Sequence, residues 1–396
     1  MKINVLHLNS STHDGGAARA AQRLHMALLG HGINSTFQAG SPEAINPWRH
    51  WRARWRYRGF RTVVPGLHTI AWPDTVLGRQ LLRNHNSQLV RHFHWLGDDL
   101  LSIEQLGRLK GPLCWTLHDM WPFCGAEHYT TDSRFLNGYL STPRPLGESG
   151  QDLNCRTWAR KRRAWRRPLQ LIAPSRWLQN HVQRSALLGQ WPCVHIPNAI
   201  DDQQWHPLNQ EFARDALGLP RDRPLVLFVA MGGLADPRKG ADLLEEAMQY
   251  LRQQLPAELV LVGGQPPHEL PFPCHSLGLI QDNRLLKLAY AASDLLALPS
   301  RLDNLPNTAL EAQMCGRPVV AFNSSGTAET VEPGLTGALA EGLEPKAFAQ
   351  ALLDVLQYQK PRLMVDNCRK RAIELWSPSV VAKAHKIIYQ ELMAEK

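Results

Sequence analysis

Short apolar runs alternate with longer stretches in which apolar residues recur every three or four positions, and the alternation continues from one end of the chain to the other. INVLHLN followed by SSTHDGGAARAAQRLHMALLGHG reads as a strand, a glycine-bearing loop and an amphipathic helix ending at Gly30 or Gly32. SQLVRHFHWLG and PLCWTLHDMWPF read as buried strands that end in polar or aromatic residues. LQLIAPSRWLQNHV is another strand and helix, and CVHIPNAIDDQQWHP is a strand running into a turn-rich segment. RPLVLFVAM then begins a fresh βα series through AELVLVGG, HSLGLI, NRLLKLAYAASD and PSRLDNLPNTALEAQMCGRPVVAF, with SSGTAETV as a further glycine loop. SPSVVAKAHKIIYQELMA closes the chain as a helix. The pattern predicts an α/β protein with two parallel sheets and a domain boundary near Asn198 to Pro207.

At 396 residues and 44% hydrophobic content the chain is long enough for two separate cores. There is no short internal repeat and no low-complexity tract. The seven cysteines are far apart and form no C-x-x-C pair, which fits a reducing compartment and argues against structural zinc. MKINVLHLN is a strand-like start rather than a signal peptide, and no apolar stretch approaches the roughly 20 residues that span a bilayer, so a cytoplasmic protein is expected.

Charge divides the chain. Of the formal +9, the part through Asn198 carries 25 Lys+Arg against 11 Asp+Glu, and the remainder is mildly acidic. Such asymmetry favours an anionic partner for the first half, a phosphate-bearing membrane or nucleic acid. The excess concentrates in two Arg/Trp-rich segments, WRHWRARWRYRGFR (48–61) and RTWARKRRAWRR (156–167). On a helix Trp158 and Trp165 share a face, as in an interfacial helix that beds aromatics at a membrane; a solvated basic helix packed by its tryptophans has the same sequence.

The stretch Pro299 to Phe322 carries the most chemistry. DLLALP is a buried strand, Asp303 and Asn304 follow in a polar loop, and NTALEAQMC is a helix closing on Gly316 and Pro318. Asp303 therefore lies beyond the C-terminal end of a parallel strand, facing a helix N-terminus, where open α/β sheets bind ligands and free N–H groups attract phosphate. Glu311, eight positions on, sits about a turn deeper. Arg238 and Lys239 precede Gly240 and a helix, two cations aimed at a phosphate position. Gly15 and Gly16 either permit close approach above the first sheet or form a flexible turn. His118 ends a long apolar strand and belongs at the ligand crevice. His92 and His94 alternate along one strand, but the segment offers no third ligand, so no metal is expected there.

These residues resemble glycosyltransferase family 4, the retaining GT-B type. The likeness is carried by the Gly15-Gly16 loop, TLHDMW, APSRWL, IPNAID, PRKG, LGLI and above all SRLDNLPNTALEAQMCGRPVVAF, and it covers nearly the whole chain. It implies two Rossmann-like domains facing across a cleft: residues 1–200 for the acceptor, 201–376 for the nucleotide-sugar, and a last helix, 377–396, returning to the first domain. Lys239 would pair with the donor diphosphate, joined by Arg238, with Asn307 and Thr308 at the helix start. Glu311 would accept hydrogen bonds from the ribose, Asp303 would contact the donor sugar, His118 would reach the reacting centre, and Gly16 would admit phosphate or acceptor. Leu279 and Ile280 fall where the base would lie. Two departures stand out. The family's first acid is usually glutamate and here is Asp303, one methylene shorter, so the sugar sits closer or Asn304 shares its role. An arginine usual before the lysine is replaced by the Gly232-Gly233-Leu234 context, and Arg238 is the available substitute.

The resemblance implies a hexosyl transfer with retention from a UDP- or GDP-linked sugar to a lipid-linked or surface-polysaccharide glycan. Fixed cations and a helix N-terminus would stabilise the leaving diphosphate, so no metal and no further cofactor are required. Peripheral contact with an anionic membrane is expected through 48–61 and 156–167, and no nucleic-acid partner. A GT-B nucleotide-sugar epimerase and a non-catalytic protein that binds an anionic surface or nucleic acid are the competing readings.

Overall fold

The computed structural model describes residues 3–12, 15–40, 68–71, 74–84, 86–97, 100–146, 150–230, 236–266 and 268–394. The Arg/Trp segment 48–61 and Gly232-Gly233-Leu234 lie outside them. The chain divides into two compact units, Met1–Pro197 with Val381–Lys396, and Asn198–Val380. The final helix, Pro378–Ala394, therefore gives most of its length to the first unit.

The first unit is a six-stranded parallel sheet of β1 (Asn4–Asn9), β2 (Asn34–Ala39), β3 (Leu89–Phe93), β4 (Leu113–Thr116), β5 (Gln170–Ala173) and β6 (Cys193–His195), in the order β2-β1-β3-β4-β5-β6. Because side chains alternate across a strand, Leu8, Phe93, Leu113, Trp115, Leu171 and Ala173 face one core. The opposite face carries His7, His92, His94, Cys114 and Thr116. His7 and His92 are register partners on adjacent strands, and His92 is paired in turn with Cys114. The final helix covers this face with His385 and Tyr389.

The second unit contains β7 (Leu225–Val229), β8 (Glu258–Val262), β9 (Cys274–Ser276), β10 (Leu295–Leu298), β11 (Val319–Phe322) and β12 (Gly337–Ala340), all parallel. Their order, β12-β11-β10-β7-β8-β9, is doubly wound and reverses between β7 and β10. Both faces are buried. Leu225, Leu227 and Val229 enter one core while Val226 and Phe228 enter the other, which is why such strands read as unbroken apolar runs. Each of these buried side chains contributes on the order of 2 kcal/mol.

All seven cysteines are free thiols. Among the described residues no helix is long and apolar enough to cross a membrane.

Candidate functional site

Lys239 and Asp303 lie on the two loops that leave β7 and β10, the strands between which the second sheet reverses. Ligands bind at such reversals because the loops diverge to opposite faces and leave a crevice beyond the strand ends. Local sequence sets the first loop. The Asp236 carboxylate accepts the Arg238 N–H at 3.0 Å and caps the short turn Pro237–Lys239. Gly240 follows with φ +69°, and a Cβ there would stand 2.0 Å from the Pro299 carbonyl oxygen. Only glycine lets this loop lie against the one after β10. The Arg301 N–H also donates to the Arg238 carbonyl at 2.7 Å.

That contact delivers the Lys239 ammonium to Asp303, with Nζ 2.5 Å from Oδ2. The other carboxylate oxygen accepts the Asn304 N–H at 2.8 Å, and the Asp303 N–H donates to Ser325 Oγ at 3.2 Å. Burial pushes the Asp303 carboxyl up, but the charge and hydrogen bond of Lys239, with Arg238 beyond, hold it below the usual carboxylate range. The acid is therefore an anion. Arg238 pairs with Asp236 at 2.5 Å, and Arg301 grips both oxygens of Asp242.

The helix Asn307–Met314 starts at Pro306 with no side-chain cap, so its first-turn N–H groups and positive dipole end face this loop region. Asn307 Oδ1 accepts from Asn198 Nδ2 at 3.1 Å, and Thr308 is half-buried. Glu311 is 1% exposed and accepts the Tyr290 hydroxyl at 2.8 Å; Tyr290 is itself fully buried, edge-on to Trp205. Leu279 is exposed, whereas Ile280 is buried in the core of the second unit.

Lys239, Asp303 and Asn304 are thus brought into direct contact, while Arg238 is turned to Asp236 and Glu311 to Tyr290. Asp236 and Tyr290 were missed from sequence. Asp236-Pro237 is a turn-initiating pair that could have signalled the first; Tyr290 occupies an ordinary apolar helical position and carries no signal.

In the first unit Gly15 takes φ +85° and Gly16 is exposed in the first turn of the helix Gly15–Gly30. His118 stands just past β4, half-buried, with its pKa lowered by burial to about 4. Its Nε2 is 3.2 Å from His94 Nδ1, and His94 Nε2 is 2.9 Å from His7 Nδ1. His92 lies stacked on His94, with Nδ1 2.7 Å from the Tyr389 hydroxyl and Nε2 2.7 Å from Thr116 Oγ1. The third histidine absent from the β3 segment therefore comes from β1. Nitrogens of His7, His92 and His94 lie within 4.8 Å of one another. Both nitrogens of His92 and of His94 are engaged in hydrogen bonds, so the cluster is a hydrogen-bonded one.

Residues 14–204 match the family model described as Glycosyltransferase Family 4, and residues 223–358 match the one described as Glycosyl transferases group 1. The chain belongs to glycosyltransferase family 4. Among this family 4 chain's relatives, D-inositol 3-phosphate glycosyltransferase 2 of Catenulispora acidiphila is 31% identical over 208 residues, 47% of this chain and 48% of that one. The chain thus spans about half the length of the relatives it matches. Solved structures share the GT-B fold over its whole length. Sucrose-phosphate synthase from Thermosynechococcus elongatus matches with TM-score 0.69 at 20% identity, covering 99% of this chain and 100% of its own. Anabaena HepE, solved in complex with UDP-glucose, matches with TM-score 0.64 at 18% identity, covering 98% and 99%. At these identities the likeness is one of fold.

The second basic segment of this family 4 protein differs from an interfacial helix in one respect. Trp158 and Trp165, on and just after the helix Leu153–Ala164, are 4% and 5% exposed and pack into the core of the first unit. Lys161 follows them inward. Its ammonium donates to the carbonyls of Trp121, Cys124 and Gly125 and sits 3.7 Å above the Trp121 ring, and burial lowers its pKa to about 7. The tryptophans are therefore not available to bed in a membrane; they share a face as expected, and that face points inward. Arg156, Arg162, Arg163, Arg166 and Arg167 remain exposed.

Proposed function

We propose that this protein is a retaining, metal-independent hexosyltransferase that uses a UDP- or GDP-linked sugar and a lipid-linked or surface-polysaccharide glycan acceptor. The observation that carries the reading is Lys239 presented beside Asp303 at the reversal of the second sheet, with an uncapped helix start next in the chain. A diphosphate leaving group develops negative charge as the anomeric bond breaks. A fixed ammonium and oriented N–H groups stabilise that charge without having to reorganise. In this reading Lys239 and the start of Asn307–Met314 hold the diphosphate, with Asn307 and Thr308 presenting the first turn.

Asp303 and Asn304 take sugar hydroxyls, Glu311 takes the ribose, and His118 is assigned to the donor sugar by family resemblance. Arg238 contributes long-range charge while its guanidinium stays with Asp236. A UDP-linked donor is supported by HepE having been solved with UDP-glucose. The exposed arginines of 156–167 would bring the protein to an anionic membrane face where such acceptors reside.

The test is a panel of UDP- and GDP-sugars scored for thermal stabilisation and for slow donor hydrolysis, since a ligand that binds only the folded state raises its apparent stability. One base and one sugar should stand out, and a chelator should leave turnover unchanged. Absence of stabilisation by every donor would overturn the reading, and accumulation of an epimerised nucleotide-sugar would replace transfer with epimerisation.

A further inference from the structure

SSGT at 324–327, the start of a glycine-bearing motif to which the transfer reading gives no task, forms the loop after β11. Since β11 pairs in parallel with β10, this loop leaves the second sheet at the same edge as the loop that carries Asp303. Ser325 stands there at φ +51°, a left-handed backbone that glycine adopts freely and a residue with a Cβ does not. Such strain persists only where the surroundings hold it, and here they are hydrogen-bond partners. Ser325 Oγ accepts the Asp303 N–H at 3.2 Å and lies 3.3 Å from Thr327 Oγ1. The Thr327 hydroxyl donates to the Ser324 carbonyl at 2.5 Å, so the proton between the two hydroxyls is the serine's. The run from Asp303 N–H through Ser325 and Thr327 to the Ser324 carbonyl therefore has one direction, because its first group can only donate and its last can only accept. On the other side of the same residue, the Gly326 N–H donates to the Asp303 carbonyl at 3.0 Å.

We propose that Ser325 is a positioning residue of the donor-sugar site, whose left-handed backbone presents a hydroxyl that fixes Asp303. Residues 325 and 326 hold the Asp303 backbone by its N–H and its carbonyl together. An aspartate has only two side-chain torsions, so a fixed backbone leaves its carboxylate little freedom. The carboxylate is then met by Lys239 on Oδ2 and by the Asn304 N–H on Oδ1. Thr327 is fully buried and anchors the far end of the run, while Ser325 itself is half-buried at the crevice edge. Glycine at 325 would relieve the backbone and lose the hold; serine keeps the hold and bears the strain. The bearing on transfer rests on the reading of Asp303 as a sugar contact; the hold on its backbone does not.

The experiment compares Ser325→Gly and Ser325→Ala in the full chain. Both remove the hydroxyl, but only glycine relieves the left-handed backbone, so Ser325→Gly should melt above Ser325→Ala. Two other readouts should ignore that difference. In both variants the Asp303 amide, followed by NMR, should exchange with deuterium about tenfold faster than in the wild type, and turnover of the preferred UDP- or GDP-sugar should fall about tenfold. Affinity for UDP or GDP alone, which lacks the sugar, should stay within about twofold. Adding Ser325→Gly to Asp303→Ala should slow turnover no further, because the two residues act as one. Wild-type amide exchange and turnover in Ser325→Gly, with a loss confined to Ser325→Ala, is what strain alone would produce and would overturn the proposal; so would additive losses in the double variant. If the wild-type protein turns over no donor, exchange of the Asp303 amide still decides the hold by Ser325, and it is the transferase reading that falls.

Discussion

Lys239 Nζ lies 2.5 Å from Asp303 Oδ2, so the first cation and the first acid of the candidate site are one ion pair. A diphosphate arriving at Lys239 meets an ammonium already shared with a carboxylate. Asp303→Asn removes that competing charge and should tighten binding of a nucleoside diphosphate about fivefold, the effect of ~1 kcal/mol of relieved repulsion, while slowing transfer. Lys239→Met should abolish stabilisation by the same ligand. Calorimetric titration of both variants checks this, and unchanged affinity in both would remove Lys239 from the diphosphate.

Gly240 is required for two separable reasons, a positive φ and the approach of the Pro299 carbonyl. Gly218 also has a positive φ, +65°, but open space where a Cβ would go. Gly218→Ala should therefore cost about 1 kcal/mol from backbone strain alone. Gly240→Ala should cost more and should also lose donor-induced stabilisation, because the Lys239 loop must move. Denaturant unfolding with and without donor measures both, and equal costs for the two variants would contradict the role given to the contact.

Glu311 has a structural task as well as a proposed one. Glu311→Ala leaves the buried Tyr290 hydroxyl without its acceptor and should cost about 1–3 kcal/mol. Glu311→Gln keeps an oxygen for Tyr290 and should stay near wild-type stability, yet bind donor about tenfold more weakly if the carboxylate holds the ribose. Undiminished donor affinity in Glu311→Gln would leave this residue a purely structural acid.

Burial lowers the pKa of His385 to about 4, and those of His7, His92 and His94 fall well below 6.5 through burial and then mutual repulsion. Unfolding returns each to about 6.5. The unfolded chain binds more protons, so stability is fully present above about pH 6.5 and is lost as pH falls toward 4. His385 alone contributes on the order of 3 kcal/mol over that window. Its surroundings are His7, His92, Tyr389 and the Val381 carbonyl, none of them a carboxylate. Melting temperature should fall steeply between pH 6.5 and 4.5; a flat profile would mean these histidines are protonated in the folded state.

The second basic segment predicts opposite outcomes for its two residue types. Trp158→Ala opens a cavity in the first unit's core and should cost about 3–5 kcal/mol. Arg163→Ser with Arg167→Ser should leave the melting temperature within a degree or two but weaken binding to anionic vesicles roughly 30-fold, at ~1 kcal/mol per arginine near the surface. Vesicle binding that is unaffected would take the membrane contact away from this segment.

The sequence by itself determined the elements and their chemistry where both are local. Unbroken apolar runs such as LVLFV and LLAL specify strands buried on both faces, because only a covered parallel sheet hides every side chain of a strand. The order of those strands along the chain, with Asp303 just beyond one and Lys239 before Gly240, marks a ligand crevice in its own right. Periodicity placed Trp158 and Trp165 on one helical face. It could not say whether that face looks inward, since a stripe of tryptophan among arginines suits a core and a membrane equally.

Tertiary structure decided the pairings between distant segments. Lys239 meets Asp303 across 64 positions, Tyr290 meets Glu311 across 21, and His7 meets His94 across 87. Side-chain spacing fixes which residues share a face of one strand, but strand order and register fix which strands lie side by side. The histidine chain exists only because β3 pairs with β1 in the register that sets His92 beside His7.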